Sequence, residues 1–126
     1  MKELRRYYRI KGSPGEIYAA LVNPFSITLW TGSDAVMKEE EGSEFSLFGG
    51  DIEGINLLFE KDHKIVQEWY FGEQVEKSIV TITLRQDRHF TKIELHQSNI
   101  PDEAFDDMTL GWDVYYFGGL KEFFEM

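Results

Sequence analysis

Residues 102–126, DEAFDDMTLGWDVYYFGGLKEFFEM, decide the fold. Placed on a helix, Phe105, Met108, Trp112, Tyr116, Gly119, Leu120 and Phe123 share one arc, and Asp107, Lys121, Glu122 and Glu125 lie opposite it. Gaps of three and four residues are the period of an amphipathic helix. An arc so rich in aromatic rings needs a broad apolar partner surface, and what precedes it reads mainly as strands. The pattern predicts an α+β fold: a curved antiparallel sheet of six to seven strands, two short N-terminal helices, and one long C-terminal helix packed across the sheet. Such a layer pair can leave a cavity between its halves, and function is sought there first.

Working back toward the N-terminus, Leu4 to Lys11 reads as a strand with Leu4, Arg6, Tyr8 and Ile10 on one face. Ser13-Pro14-Gly15-Glu16 is a capping box with proline at the first helical position. Ile17, Ala20 and Leu21 mark the buried side of that helix. Asn23-Pro24 repeats the signal and starts a second helix through Ile27 and Trp30, which Thr31-Gly32 stops. The chain from Ala35 to Asn99 reads as a meander. Its segments are Ala35 to Lys38, Glu44 to Phe48, Ile52 to Glu60, Ile65 to Phe71, Lys77 to Arg85 and Thr91 to Ser98. Val80, Ile82 and Leu84 share a face, as do Ile93 and Leu95. Ile52 to Phe59 is apolar on both faces, the mark of a central strand or of one covered by a partner. Gly118-Gly119 costs helix propensity, so the pair either brings the helix close to its neighbour or leaves open volume.

At 126 residues the chain suits one domain, 1–126, able to bury most of its apolar surface. It has no cysteine, which excludes disulfides and thiolate metal sites and fits a reducing, cytoplasmic setting. No apolar run approaches the roughly 18–20 residues that span a bilayer, and the start, MKELRRYYRIK, lacks the apolar core of a signal peptide. The net charge of −10 opposes a phosphate backbone, so nucleic acid is not an expected partner. The charge is uneven. Lys2, Arg5, Arg6, Arg9 and Lys11 crowd the first strand; Glu39, Glu40, Glu41 and Glu44 gather at one turn; Asp102, Glu103, Asp106 and Asp107 open the last helix, where they complement its dipole.

Ordered along nearly the whole chain are Ser13-Pro14, Ile17-Tyr18, Trp30-Thr31, the run GSEFSLFGGDIEG at 42–54, Lys64-Ile65-Val66, Trp69, Ser78, Val80, Thr91, Gln97, Pro101, Gly111-Trp112, Tyr116-Phe117, Leu120-Lys121 and Phe123-Phe124. In this set the chain resembles the activator of heat-shock protein 90 ATPase family, of the type that forms the C-terminal domain of the eukaryotic co-chaperone, within the START-like (helix-grip) superfamily. The resemblance implies the helix-grip fold and a non-catalytic, co-chaperone-like or regulatory interaction with a 90-kDa heat-shock chaperone. In the co-chaperone a separate N-terminal domain carries much of the ATPase stimulation, and the matching residues do not extend to it. Stand-alone START-like domains mostly take apolar small molecules, which gives the alternative: a carrier or sensor with a hydrophobic ligand between sheet and C-terminal helix.

The residues themselves carry little catalytic chemistry. His63 and His89 fall in turns, His96 points away from the Ile93–Leu95 face, and none has a metal-ligand partner at i+4. No serine stands in a nucleophile elbow, and there is no phosphate loop or dinucleotide fingerprint. The expectation is no enzyme, no cofactor and no metal. Inward-facing amides are more suggestive: Asn56, Gln67 and Gln97 interrupt apolar strand faces. Either backbone groups or an internal water satisfy them, or some orient a ligand among Trp30, Trp69, Trp112 and Tyr116, with Gly119 supplying room. The candidate partner-docking residues are Arg5, Arg9 and Lys11, on the face of the first strand opposite Leu4 and Ile10. Ligand identity and oligomeric state stay open.

Overall fold

The structure, a computed structural model, describes residues 1–72 and 76–125. The far part of the connection after Gly72, and Met126 at the end of the predicted helix, lie outside the described residues. Strand β1 (Lys2–Lys11) leads into α1 (Pro14–Val22) and α2 (Pro24–Thr31). The strands β2 (Glu44–Leu47), β3 (Ile52–Glu60), β4 (Lys64–Trp69), β5 (Ser78–Asp87) and β6 (Phe90–Ile100) follow. A 3₁₀ turn opens the last helix, which continues as α3 (Phe105–Leu110), a π-helical turn (Gly111–Tyr116) and α4 (Phe117–Phe124).

The local signals act as the sequence predicts. Ser13 Oγ accepts from the Glu16 N–H at 3.2 Å, and Glu16 Oε1 accepts from the Ser13 N–H at 3.1 Å, which closes the capping box on α1. Asn23 Oδ1 caps α2 through the Ser26 N–H, and Gly32 ends it in the left-handed conformation at φ 73°. The strands form one curved antiparallel sheet in the order β1-β6-β5-β4-β3-β2, so the first strand pairs with the last. Its inner face carries Leu4, Ile10, Ile65, Val80, Ile82, Leu84, Ile93 and Leu95, all buried; α1 and the C-terminal helix cover that face, and α2 packs against both helices.

Three expectations are corrected. Ala35 to Lys38 is not a strand: Val36 makes a single bridge to Ser46. Beyond it the Lys38 carbonyl accepts from Ser43 Oγ and Asn56 Nδ2, side chains that take the place of a ladder. The two-faced apolar pattern of β3 does not come from a central position, since β3 lies next to the edge strand β2. The register slips between Asn56 and Leu58. This bulge at Leu57 puts Asn56 on the inner face opposite Gln67 and Phe59 on the same face opposite Ile65. On the C-terminal helix, Phe117 lies outside the predicted arc yet is buried to 1% exposure, whereas Phe105, Met108 and Phe123 are only partly buried. The π-helical turn brings Phe117 inward.

Candidate functional site

An α-helix brings residues 112 and 116 to one face and carries 117 away from it. A π turn closes its hydrogen bond over five residues, and here the Phe117 N–H donates to the Trp112 carbonyl. Trp112, Tyr116 and Phe117 therefore all point inward. The Phe117 ring stacks on Trp112 at 5.5 Å and on Tyr8 of β1 at 4.4 Å. The glycine pair makes this possible. A Cβ on Gly118 would stand 2.6 Å from the Asp113 carbonyl oxygen, inside the π turn. One on Gly119 would stand 3.0 Å from the Trp30 carbonyl oxygen of α2. Both glycines serve close approach, and Gly119 supplies no cavity space.

Under the turn, two chains of neutral hydrogen bonds cross the inner face of the sheet. Trp112 Nε1 donates to Gln97 Oε1 at 2.8 Å; Gln97 Nε2 donates to Ser78 Oγ at 3.1 Å, and Ser78 Oγ to the Ser98 carbonyl at 2.8 Å. In parallel, Trp69 Nε1 donates to Gln67 Oε1 at 2.9 Å and Gln67 Nε2 to Asn56 Oδ1 at 2.9 Å, while Asn56 Nδ2 reaches Ser43 Oγ at 3.1 Å. The indoles that end the two chains stack on each other at 4.7 Å. Each inward amide is thus satisfied by its neighbours, Gln67 and Gln97 by an indole as well.

Beside this stack runs a groove of about 610 Å³, lined by Phe48, Asp51, Ile52, Trp69, Asp107, Met108, Gly111, Trp112, Tyr115 and Tyr116. Tyr116 is 4% exposed, and its hydroxyl has no hydrogen-bond partner among the described residues. Burial alone pushes that phenol well above its ordinary pKa. Tyr8 and Tyr18 are raised as well, first by burial and then by donating to Asp113 and Glu39 at 2.7 and 2.6 Å. A Cβ on Gly111 would meet nothing within 4 Å, so this glycine borders open space.

The candidate residues divide among four places. Trp69, Trp112 and Tyr116 line the groove. Trp30 backs Tyr116 edge-on at 5.0 Å and donates Nε1 to the Ala20 carbonyl. Asn56, Gln67 and Gln97 lie in the hydrogen-bond chains, and Gly119 at the contact with α2. Arg5, Arg9 and Lys11 are exposed on the other face of the sheet. There Arg5 pairs with Glu94 at 2.6 Å, and Arg9 pairs with Asp87 at 3.0 Å and covers the Phe90 ring at 3.7 Å. Sequence reasoning missed Phe48, Asp51, Ile52, Asp107, Met108, Gly111 and Tyr115 as groove residues. The spacing 108, 111, 112, 115 was a usable signal; nothing local announces that the turn at Phe48 to Asp51 faces it. Among the described residues no three His, Asp or Glu side chains gather closely enough to hold a metal ion, and no helix is long and apolar enough to cross a membrane.

The profile of "Activator of Hsp90 ATPase homolog 1-like protein" matches residues 11–125. The chain belongs to this family. Within the activator family, "Activator of 90 kDa heat shock protein ATPase homolog" of Dictyostelium discoideum is 35% identical over 114 residues, covering 88% of this chain and 30% of that protein. The chain thus spans about a third of the length of such curated relatives. Among solved structures, an HSP90 activator from Plasmodium falciparum superposes with a TM-score of 0.89 at 24% identity, covering 98% of this chain and 96% of that one. The Aha1 dimer from Colwellia psychrerythraea gives 0.86 at 20% identity, covering 100% and 98%. Both share the helix-grip fold of the activator family with this chain.

Proposed function

We propose that this domain is a non-catalytic, co-chaperone-like module that binds a 90-kDa heat-shock chaperone and adjusts its ATPase. The observation that carries the reading is the activator-family match from residue 11 to residue 125. The interior supports it: the buried amides are spent on one another and on indoles instead of facing a reacting group. The docking residues on this reading are Arg5, Arg9 and Lys11 on the outer face of β1, which would meet an acidic surface of the chaperone. Titration of the purified domain into the 90-kDa chaperone of the same organism, at low and moderate salt, tests it. Saturable binding with a changed ATPase rate is expected; no binding and no rate change would overturn it.

A second reading rests on a separate observation, the groove with the unpartnered Tyr116 hydroxyl on its wall. On this reading the domain carries or senses a small, largely apolar molecule. A volume of about 610 Å³ falls in the range of roughly 300–1,000 Å³ typical of small-molecule sites. Thermal-shift and native-mass screening against lipids, sterols and aromatic metabolites tests it, and an unmoved melting curve throughout would count against it.

A further inference from the structure

The groove carries charge of one sign. Asp51 stands on the turn before β3 and Asp107 on α3, so the two carboxylates enter the lining from different elements. Neither has an ion-pair partner among the described residues, and no Lys or Arg lines the groove. Elsewhere four carboxylates, those of Glu94, Asp87, Glu40 and Glu68, each hold a cation within 3.2 Å. The walls around Asp51 and Asp107 are aromatic, and aromatic faces attract cations. Farther in, the Tyr116 hydroxyl has no partner among the described residues, whereas the Trp69 and Trp112 indoles both donate to amides. A buried hydroxyl without a hydrogen bond is costly, and an occupant with its own polar group would relieve that cost.

We infer that the groove binds an organic cation, a protonated or quaternary amine on an aromatic or apolar body that ends in a hydrogen-bonding group. The amine lies between Asp51 and Asp107, the body lies against Trp69 and Trp112, and the far polar group meets the Tyr116 hydroxyl. Anionic lipids and fatty acids are disfavoured, because the groove offers them two carboxylates and no base. The overall charge of −10 acts in the same direction, raising the local concentration of cations. This assignment rests on the second reading above, that the groove takes a small ligand, and is independent of chaperone docking.

Calorimetry on the full chain with matched probes tests it. The probes are 4-(4-hydroxyphenyl)butylamine, 4-(4-hydroxyphenyl)butanol and 4-phenylbutylamine, each titrated to several millimolar. The hydroxyphenyl amine is expected to bind about tenfold more tightly than the alcohol and about fivefold more tightly than the phenyl amine. Asp51→Asn combined with Asp107→Asn should abolish the first difference and leave the alcohol's affinity unchanged. Tyr116→Phe should abolish the second. Gly111→Leu should fill the groove and remove binding of all three while the melting temperature holds or rises, because its side chain enters open space. Equal binding of amine and alcohol overturns the cation assignment and leaves small-ligand binding standing. Binding that survives Gly111→Leu places the ligand elsewhere and overturns it too, and no saturable binding of any probe removes both readings of the groove.

Discussion

The inner face of the sheet and the outer face of β1 both carry polar side chains that tie one strand to the next, but the groups differ. Inside, amides, hydroxyls and indoles pass neutral hydrogen bonds along Asn56–Gln67–Trp69 and Ser78–Gln97–Trp112, at exposures of 0–4%. Outside, the ties are ion pairs, Arg5–Glu94 and Arg9–Asp87, on side chains that are 38–52% exposed. Charges inside would lose hydration worth several kcal/mol each, whereas a neutral amide loses far less and recovers it in one or two good bonds. Water screens the outer pairs, so each contributes about 0–1 kcal/mol. The buried network should therefore fix where the C-terminal helix sits, and the exposed one should mainly keep an edge strand charged and unattractive to other sheets.

Breaking the inner network is expected to have the largest effect. Trp112→Ala removes a ring that is 1% exposed, stacks on Trp69 and Phe117, and holds Gln97. It should cost about 3–5 kcal/mol in urea unfolding; a loss under about 1 kcal/mol would contradict the burial of this helix face. Gln97→Ala leaves the Trp112 N–H unpaired and Ser78 Oγ without its donor, for an expected loss of about 1–3 kcal/mol. Changing Gln97→Leu together with Trp112→Phe should cost less than the two single losses added, because both partners of the bond vanish together.

The outer network should respond much more weakly. Arg5→Glu with Arg9→Glu places carboxylates against Glu94 and Asp87 and should destabilise by about 1 kcal/mol or less, shrinking as salt rises. If chaperone docking uses this face, the same variant should bind more slowly at low salt while staying folded. A cooperative loss of fold would make the outer ties structural and erase the contrast with the inner face. The one gain at neutral pH among these variants belongs to Tyr116→Phe, expected to stabilise by about 1 kcal/mol because it deletes a buried hydroxyl that has no partner among the described residues. Its signature lies in alkali. Burial raises the folded pKa of Tyr116 above that of the unfolded chain, so its contribution is intact below about pH 10 and is lost as pH rises beyond it. Tyr116→Phe should lower the alkaline slope of stability by about one proton; an unchanged slope would mean that Tyr116 is not held neutral by burial.

What could be read from the residues follows the range of the signals. Capping at Ser13 and Asn23 and alternation in β5 and β6 act over a few positions, and each appears in the structure at the predicted place. The misses come from single-residue shifts of phase: the bulge at Leu57 and the π turn before Phe117 each insert one residue that no propensity reveals. The site was half legible. Trp69, Trp112 and Tyr116 stood out as aromatics on inward positions. By contrast, Asp51 and Asp107 meet only through tertiary folding, as do Arg5 and Glu94, which are 89 residues apart.

The π turn also makes the last helix a two-part element with an adjustable phase. At unchanged length, plain α-helical winding through 111–116 would turn everything beyond it by about 100°. Phe117 would swing off Tyr8, and the glycine that now passes Trp30 would be replaced there by a neighbour with a side chain. Upstream, Asp107 and Met108 would keep their positions on the groove. The winding of this turn sets the alignment between the half of the helix that shapes the groove and the half that grips the sheet. Related chains one residue shorter here should therefore wind the stretch as plain α-helix and keep the same alignment of the two halves.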